Sequence, residues 1–359
     1  MAISNLHYKQ RNYLMAQNKN PKAKQPLLKV EGLKTHFFVD GSIVRAVDQV
    51  DLEIFRGKVL GLVGESGCGK TVTALSIMGL IDEPGKIISG DIIFDGISLL
   101  SLTEDELNQI RGGRISLIFQ DPQARLNPVF TIGSQIAEIF QVHYGEPRQA
   151  AFDRSVKLLE TVGIPDPLDR IHTYPHELSG GQAQRVMIAM ALALEPELII
   201  ADEPTTALDV TIQAQILDLM REMRVEHSTA IILITHDMAV IAGMADCVAV
   251  MYAGQIIEQA EAEQLYKKPL HPYTQDLLAS IPYGLDEGPL SSIPGSPPDP
   301  RNLPTGCRYA PRCEARVEYG LKICEAKAPP LQPFSPEHSI RCWLYESAPG
   351  HEPPLLKRL

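Results

Sequence analysis

Long apolar runs are missing from this sequence. No stretch approaches the roughly 18 consecutive apolar residues of a membrane span, and Met1–Leu14 lacks the apolar segment of a secretory signal peptide. We therefore expect a protein that stays in the cytoplasm. Basic charge is also scarce, since 33 lysines and arginines face 44 acidic residues for a net charge of -11. Because nucleic-acid phosphates are bound by basic faces, this balance argues against a general nucleic-acid binder.

Internal repeats and coiled-coil heptads are absent as well, which excludes a solenoid and a long coiled-coil arm. The chain does have 359 residues, 44% of them hydrophobic, which is enough for one large domain with an appendage. Residues 1–26 are polar and mildly basic, and we expect them to form a flexible tail.

Strand and helix patterns alternate after this tail. Residues 27–62 read as short strands, of which Val59–Val63 is the most apolar, and Lys70–Leu80 has a helical pattern. Further strand-like runs are Ile115–Phe119, Leu198–Ala201, Ala230–Ile234 and Cys247–Met251. The alternation predicts an α/β fold with a parallel core sheet. Helical patterns dominate between about residues 121 and 182, which predicts a helical insert. Proline, glycine and serine then dominate residues 284–311, which predicts a linker before the C-terminal end.

The segment Gly64–Thr71 fits the phosphate-loop pattern G-x-x-x-x-G-K-[ST] between a predicted strand and a predicted helix. Glycines let successive N–H groups face phosphate oxygens, Lys70 adds a cation at the β- and γ-phosphates, and the Thr71 hydroxyl is suited to Mg²⁺. The residues expected at the nucleotide are Gly64, Glu65, Ser66, Gly67, Cys68, Gly69, Lys70, Thr71 and Val72. Cys68 also admits a redox role, although a small residue in a tight loop explains it equally well.

Two later strands end in polar residues. The run from Leu198 leads to Asp202 and Glu203, and the run from Ala230 leads to His236. Parallel strands bring their carboxyl ends to one edge of the sheet, where ligands bind. There Asp202 would hold Mg²⁺, Glu203 would orient or deprotonate the attacking water, and His236 would contact the γ-phosphate. Taken alone, an acidic pair is more often a helix cap or solvated turn, and a lone histidine is more often structural.

The pentapeptide Leu178–Gln182 (Leu-Ser-Gly-Gly-Gln) completes the set of motifs. Ser179 is suited to cap a helix running to about Leu194, with Gln182 completing a capping box. With the two preceding motifs in this order, the chain resembles the ABC-type ATPases. The resemblance implies a P-loop NTPase (RecA-like) nucleotide-binding domain with a helical signature subdomain. It also implies that Ser179, Gly180, Gly181 and Gln182 bind the γ-phosphate held by another cassette, so that two cassettes enclose two nucleotides.

The same resemblance suggests further roles. Gln120 matches the Q-loop glutamine, which senses the nucleotide, contributes to the Mg²⁺ site and contacts the membrane subunit. Ala207–Asp209 matches the D-loop at the cassette interface. Phe38 is the candidate for the aromatic residue that stacks on adenine, although its spacing to Ala46 is longer than usual.

The later part of the chain narrows the resemblance to the oligopeptide, dipeptide and nickel uptake ATPases. It is carried by His271–Leu278, the proline-rich Ile293–Gly295 and a cysteine-rich C-terminal extension. Thr71–Leu80 resembles the first of the two nonidentical ATPases of such systems. The implied partners are a second ABC ATPase, two transmembrane permease subunits and an extracytoplasmic substrate-binding protein, at the cytoplasmic face of the cell membrane. This implies an ATP-hydrolysing cassette over residues 27–283 and an extension over residues 284–359.

The extension contains the cysteines Cys307, Cys313, Cys324 and Cys342. In a reduced cytosol such a group suggests a metal site rather than disulfides. Its spacing matches neither usual zinc nor ferredoxin patterns, although four thiolates suit Zn²⁺ or a [4Fe-4S] cluster. Relatives with these cysteines are associated with an iron–sulfur cluster, so the resemblance favours that group; zinc, or buried cysteines without metal, remain alternatives.

Competing functions are disfavoured by particular features. An ABC ATPase of DNA repair or chromosome structure would need a coiled-coil arm between Lys70 and Ser179, for which there is no room. A translation factor of this kind carries two cassettes, whereas one is found here. A cassette that binds ATP without turnover would not need Lys70, Asp202, Glu203 and His236 together.

Overall fold

The computed structural model describes residues 25–205, 208–280 and 293–355, so the tail predicted for residues 1–26 lies almost wholly outside the described residues. The strands in these ranges are β1 (Leu28–Val39), β2 (Ser42–Ile54), β3 (Val59–Val63), β4 (Gly85–Phe94), β5 (Ile97–Ser98), β6 (Ile115–Ile118), β7 (Leu198–Asp202), β8 (Ala230–Ile234), β9 (Cys247–Tyr252), β10 (Gln255–Glu261), β11 (Gln332–Ser335) and β12 (His338–Ile340). The α-helices are α1 (Lys70–Ile77), α2 (Glu104–Ile110), α3 (Pro122–Arg125), α4 (Ile132–Tyr144), α5 (Arg148–Thr161), α6 (Pro167–Arg170), α7 (Gly180–Leu192), α8 (Val210–His227), α9 (Met238–Met244), α10 (Ala262–Lys267), α11 (Pro272–Ala279), α12 (Glu314–Glu318) and α13 (Ile323–Ala326). None of these helices is both long and apolar enough to cross a membrane.

A four-stranded antiparallel sheet, in the order β2-β1-β4-β5, forms one layer. Strands β1 and β2 have 12 and 13 residues, so the prediction of short strands in this region was wrong for both. Their pairing shifts register between Val30 and Leu33 and again between Thr35 and His36. Such bulges interrupt the alternation of side chains, and one continuous strand therefore reads in the sequence as several pieces.

A second sheet of eight strands, in the order β11-β12-β10-β9-β3-β8-β7-β6, carries the motif-bearing loops. The pairs β3/β9, β3/β8, β8/β7 and β7/β6 are parallel, as the sequence predicted. Every residue of β3, β7 and β8 is buried, because strands covered on both faces are apolar throughout. Their carboxyl ends place the loops after Val63, Asp202 and Ile234 at one edge of the sheet.

Helices α3 to α7 occupy the region between β6 and β7. Helices α4 and α5 pack against each other, and Phe140, Ala151 and Leu159 are buried in the main core. The predicted capping box of α7 is confirmed: the Gln182 N–H donates to Ser179 Oγ over 3.3 Å, and the Ser179 N–H donates to Gln182 Oε1 over 3.1 Å. This cap fixes the start of the helix at the signature pentapeptide.

The C-terminal segment 293–355 extends the large sheet, which the sequence did not predict. Strand β12 pairs with β10, with Ile340 opposite Glu258. Glu258 is fully buried and accepts backbone N–H groups from Leu270 and His271 at 2.7 and 2.9 Å, while His338 Nε2 lies 2.7 Å from its Oε1. A buried carboxylate needs such partners, and here they join the extension to the cassette.

Candidate nucleotide site

The phosphate loop runs from β3 to α1 and is in close contact with the backbone of two neighbouring strands. Gly64 has a φ of 149° and Gly69 a φ of 112°. A Cβ on Gly64 would lie 2.1 Å from the carbonyl oxygen of Met251, and one on Gly69 would lie 2.3 Å from that of Ala46. Only glycine fits at these two positions, and the loop is therefore held closely between β2 and β9.

Lys70 is the first residue of α1 and has an exposed fraction of only 8%. Its Nζ donates to the carbonyl oxygens of Gly64 and Glu65 at 2.7 and 3.1 Å. The ammonium group therefore lies over its own loop, near the N–H groups at the N-terminus of α1. This combination of a cation with a helix N-terminus is suited to phosphate oxygens.

Asp202 ends β7 and is 4% exposed. Desolvation raises the pKa of its carboxyl above the usual value, while a hydrogen bond with the Thr71 side chain and the charge of Lys70 act in the opposite direction. Among the described residues its Oδ1 is a buried oxygen without a hydrogen-bond partner. A buried carboxylate oxygen beside a threonine hydroxyl fits a hard cation such as Mg²⁺, because that ion prefers oxygen ligands.

Glu203 and His236 come from different strands and meet. The Glu203 N–H donates to the Ile234 carbonyl over 2.8 Å, and the residue adopts a φ of 51°, which is uncommon for a residue other than glycine. His236 Nδ1 lies 2.9 and 3.0 Å from the two carboxylate oxygens of Glu203. The Glu203 side chain is 11% exposed and that of His236 is 68% exposed. The imidazole thus lies on the solvent side of the carboxylate, where a ligand would approach.

These groups surround one cavity of about 400 Å³. Its lining residues are Ala46, Ser66, Gly67, Gly69, Lys70, Thr71, Val72, Gln120, Asp202, Glu203 and His236. Gln120, which follows β6, therefore reaches the same site as the phosphate loop. The arrangement offers a cation, two carboxylates, an imidazole and backbone N–H groups to a bound polyphosphate.

Comparison with known proteins agrees with this geometry. A family model described as "ABC transporter" matches residues 47–206, and one described as "Oligopeptide/dipeptide transporter, C-terminal region" matches residues 257–319. The chain is 48% identical over 322 residues to the oligopeptide transport ATP-binding protein AppD of Bacillus subtilis, a match that covers 89% of this chain and 97% of that protein. It is 45% identical over 317 residues to the dipeptide transport ATP-binding protein DppD of Escherichia coli, covering 88% and 96%. The chain belongs to the ATP-binding proteins of peptide ABC transporters.

The predicted resemblance is thereby confirmed, and with it an ABC-type ATPase. Among solved structures, the ATP-binding cassette MJ0796, in a dimeric post-hydrolysis state with ADP and Pi, superposes with a TM-score of 0.60 at 27% identity. That match covers 66% of this chain and 98% of that chain. The ABC cassette fold is accordingly established here.

Other residues predicted from the ABC resemblance lie away from the cavity. Ser179 and Gly180 are exposed at the start of α7, and none of the signature residues Ser179, Gly180, Gly181 and Gln182 lines the cavity. Phe38 is 45% exposed near the end of β1 and does not line it either. Within the D-loop, Ala207 lies outside the described residues, and Asp209 caps α8 through the N–H of Ile212.

Gly64, Glu65 and Cys68 also fall outside the cavity lining, although they belong to the phosphate loop. Cys68 is 6% exposed, and burial raises the pKa of its thiol. A higher pKa leaves less thiolate at neutral pH, so the packing role of this cysteine is favoured over a redox role.

Two residues that fix the phosphate loop on the side away from the cavity were not predicted from the sequence. The Glu65 N–H donates to the Tyr273 hydroxyl over 2.9 Å, and the Glu65 carboxylate pairs with Arg312. Tyr273 belongs to the segment Pro272–Ala279, which served only to narrow the ABC family. Arg312 lies next to Cys313, and no local pattern links either residue to a phosphate loop far away in the sequence.

The four cysteines of the extension lie in buried or partly buried places. The Cys307 N–H donates to the Cys324 carbonyl over 2.8 Å, and Cys324 and Cys342 are 6% and 8% exposed. Burial raises the pKa of Cys307 to about 11 and that of Cys324 to about 12. Across the described ranges no three His, Cys, Asp or Glu side chains are grouped so that they could hold a metal ion. The predicted four-cysteine metal site is therefore not supported by this structure.

Proposed function

We propose that this chain hydrolyses ATP to power the import of di- and oligopeptides through separate membrane subunits. The observation that carries the proposal is the meeting of Lys70, Asp202 and the Glu203–His236 pair around one cavity. The names of the relatives, which are oligopeptide and dipeptide transport proteins, support the class of substrate.

In the proposed reaction each group has one task. Lys70 exchanges its contacts with two loop carbonyls for the β- and γ-phosphate oxygens, and Glu203 orients the attacking water and accepts its proton. His236 holds the Glu203 carboxylate and faces the γ-phosphate. Thr71, Gln120 and Asp202 would hold Mg²⁺, which when bound supplies positive charge against the phosphates.

A second cassette is required by this proposal. Ser179 and Gly180 present a capped helix start to solvent rather than to the cavity of their own chain. A helix N-terminus of this kind attracts an anion, and we infer that it binds the γ-phosphate on another ATPase subunit. The dimeric state of the related cassette supports this reading. We propose a second, nonidentical ABC ATPase as the partner, with Phe38 against adenine and the D-loop at the interface.

An apolar groove beside Gln120 is the proposed contact for the permease. It has a volume of about 270 Å³, and its lining includes Phe119, Leu126, Met187 and Met190 together with Arg111. Gln120 follows Phe119 directly and lines the nucleotide cavity, so a segment seated in this groove would sense the nucleotide. We propose that an apolar cytoplasmic segment of a permease subunit occupies it. The chain would then sit peripherally at the cytoplasmic face of the cell membrane, beneath two permeases and an extracytoplasmic substrate-binding protein.

Reconstitution tests the proposed function. We expect vesicles that contain this chain, the second ATPase and both permeases to release phosphate faster when the binding protein is loaded with a di- or oligopeptide. Stimulation by a nickel complex but by no peptide would contradict the proposed substrate, while ATP hydrolysis itself would remain.

We also propose a division of the chain into a cassette of residues 27–283, with a helical part at about 121–182, and an extension of residues 284–359. We propose that this extension carries a [4Fe-4S] cluster, with Zn²⁺ as the alternative. In support, burial is the main cause that raises the pKa of Cys342, and the charges of Cys307, Cys313 and Cys324 raise it further, as expected for thiols in one neighbourhood. Ligation would require these thiols to lose their protons.

Metal analysis tests this second proposal. Anaerobically purified protein is expected to contain about four iron atoms per chain with acid-labile sulfide, and Cys342→Ser is expected to lose them. The matched control is Cys247→Ser, since Cys247 lies in β9 rather than in the extension. Zinc alone would favour the alternative, and protein without either metal would leave only buried cysteines.

A further inference from the structure

The segment between Cys307 and Cys313 contacts the phosphate loop directly. Arg312 Nη1 donates to Glu65 Oε2 over 2.7 Å, and Nη2 donates to Oε1 over 3.0 Å. The Arg312 side chain is 4% exposed and that of Glu65 is 24% exposed. A bidentate pair with so little exposure fixes both the position and the orientation of the carboxylate.

Arg312 is itself held on several sides. Its Nε donates to the Pro294 carbonyl over 2.5 Å, and its Nη1 lies 3.2 Å from the Tyr252 hydroxyl. The guanidinium carbon lies 5.7 Å from the ring centres of both Tyr252 and Tyr309. The arginine is therefore a fixed anchor and not a mobile surface charge.

Glu65 links Arg312 to Lys70 through hydrogen bonds. The Glu65 N–H donates to the Tyr273 hydroxyl, and the Glu65 carboxylate accepts hydrogen bonds from Arg312. The Glu65 carbonyl accepts from Lys70 Nζ over 3.1 Å. Backbone and side chain of one loop residue are thus both set by groups outside the loop. The ammonium group of Lys70 is one hydrogen bond away from that residue.

A second arginine of the same segment supports the other end of the loop. Arg308 donates to the Ala253 carbonyl and pairs with Asp48. The neighbouring Gly254 N–H donates to the Cys68 carbonyl over 2.8 Å. The segment from Cys307 to Cys313 therefore supports the phosphate loop at Glu65 and, through the Ala253–Gly254 turn, at Cys68.

We propose that Arg312 is a positioning residue for ATP, which acts through Glu65 to hold the phosphate loop and Lys70 in their binding geometry. The inference rests on the proposed ATPase function and adds that the C-terminal extension sets the affinity for nucleotide. If Arg312 loses its charge, Glu65 is left as a half-buried carboxylate without its partner, and it is expected to turn toward water and draw the loop with it.

The expected signature is a change in KM without a matching change in kcat. The phosphate loop contacts the nucleotide in the ground state and in the transition state alike, so its displacement weakens both. For Arg312→Gln in the reconstituted transporter, we expect the KM for ATP to rise roughly tenfold while kcat stays within about twofold. Arg301→Gln is the matched control, because Arg301 also belongs to the extension and pairs with Asp299 at an exposed position.

A double-mutant cycle tests whether Arg312 acts through Glu65. Glu65→Gln alone is expected to raise KM to a similar extent, and adding Arg312→Gln to it is expected to change nothing further. A KM for Arg312→Gln that stays near the native value would overturn the proposal, as would two effects that multiply to roughly a hundredfold in the double variant. A native transporter without turnover would instead contradict the proposed function itself.

Arg312→Lys is the second variant, for use if Arg312→Gln does not fold. Lysine keeps the charge but lacks the planar fork that grips both carboxylate oxygens. We expect a smaller rise of KM, of about threefold, with kcat unchanged. An unaltered KM in this folded variant would also overturn the proposal.

Discussion

Glu203→Gln is expected to abolish ATP turnover while ATP still binds. Glutamine keeps the shape of the side chain but does not accept a proton from water, and loss of a general base costs roughly 10²- to 10⁴-fold in rate. The structure places the carboxylate 2.9 Å from His236 Nδ1 at the edge of the cavity, so the defect should fall on the chemical step. Phosphate release should be measured in the assembled transporter, and ATP-bound dimers should accumulate in size-exclusion chromatography.

Glu195→Gln is the matched control for this substitution. Glu195 has the same φ of 51°, and its Oε2 lies 3.2 Å from His227 Nδ1, but its side chain is 63% exposed and lies outside the cavity. We expect that variant to turn over ATP normally. Unchanged turnover in Glu203→Gln would contradict the role assigned to Glu203.

Lys70→Ala is expected to weaken ATP binding and to stop turnover. Hydrogen bonds to charged groups contribute about 1.5–3 kcal/mol, which corresponds to roughly 10- to 100-fold in affinity. Within the part of the chain that the structure describes, the ammonium group contacts loop carbonyls at 2.7 and 3.1 Å and, weakly, the Cys68 sulfur at 3.8 Å, so its charge is available to phosphate. Binding of a fluorescent ATP analogue to the purified chain would measure the loss.

Lys58→Ala serves as the control, because Lys58 immediately precedes β3, is 55% exposed and pairs with Asp246. Its nucleotide affinity should equal that of the native chain. If Lys70→Ala bound ATP as well as the native chain does, the proposed contact with the phosphates would be wrong.

The phosphate loop and the polar strand ends were predictable because each is a local pattern with its own chemistry. A buried apolar strand that ends at Asp202 and is followed by Glu203 indicates a parallel sheet. It also indicates that both carboxylates lie at the carboxyl edge of that sheet. The capping box of Ser179 and Gln182 is equally local, since both partners lie within one helical turn.

The extension was not predictable in this way. Arg312 and Glu65 are separated by 247 positions, and nothing in the sequence of either segment specifies the other. Strands β11 and β12 have four and three residues, too few for an alternating pattern to be visible. Phe38 was the candidate as an aromatic residue near the start of the cassette, although its spacing to Ala46 is longer than usual, and the bulges of β1 change which residues share a face.

Peptide uptake by whole cells is the most direct measurement of whether this chain powers peptide import. Cells would carry either the native chain or Lys70→Ala, with the other transporter subunits intact and no redundant peptide system, and uptake of labelled di- and oligopeptides would be followed. We expect uptake in the native cells and its loss in the variant at equal protein level. Full peptide uptake with Lys70→Ala would contradict the role of this chain as the motor of peptide import.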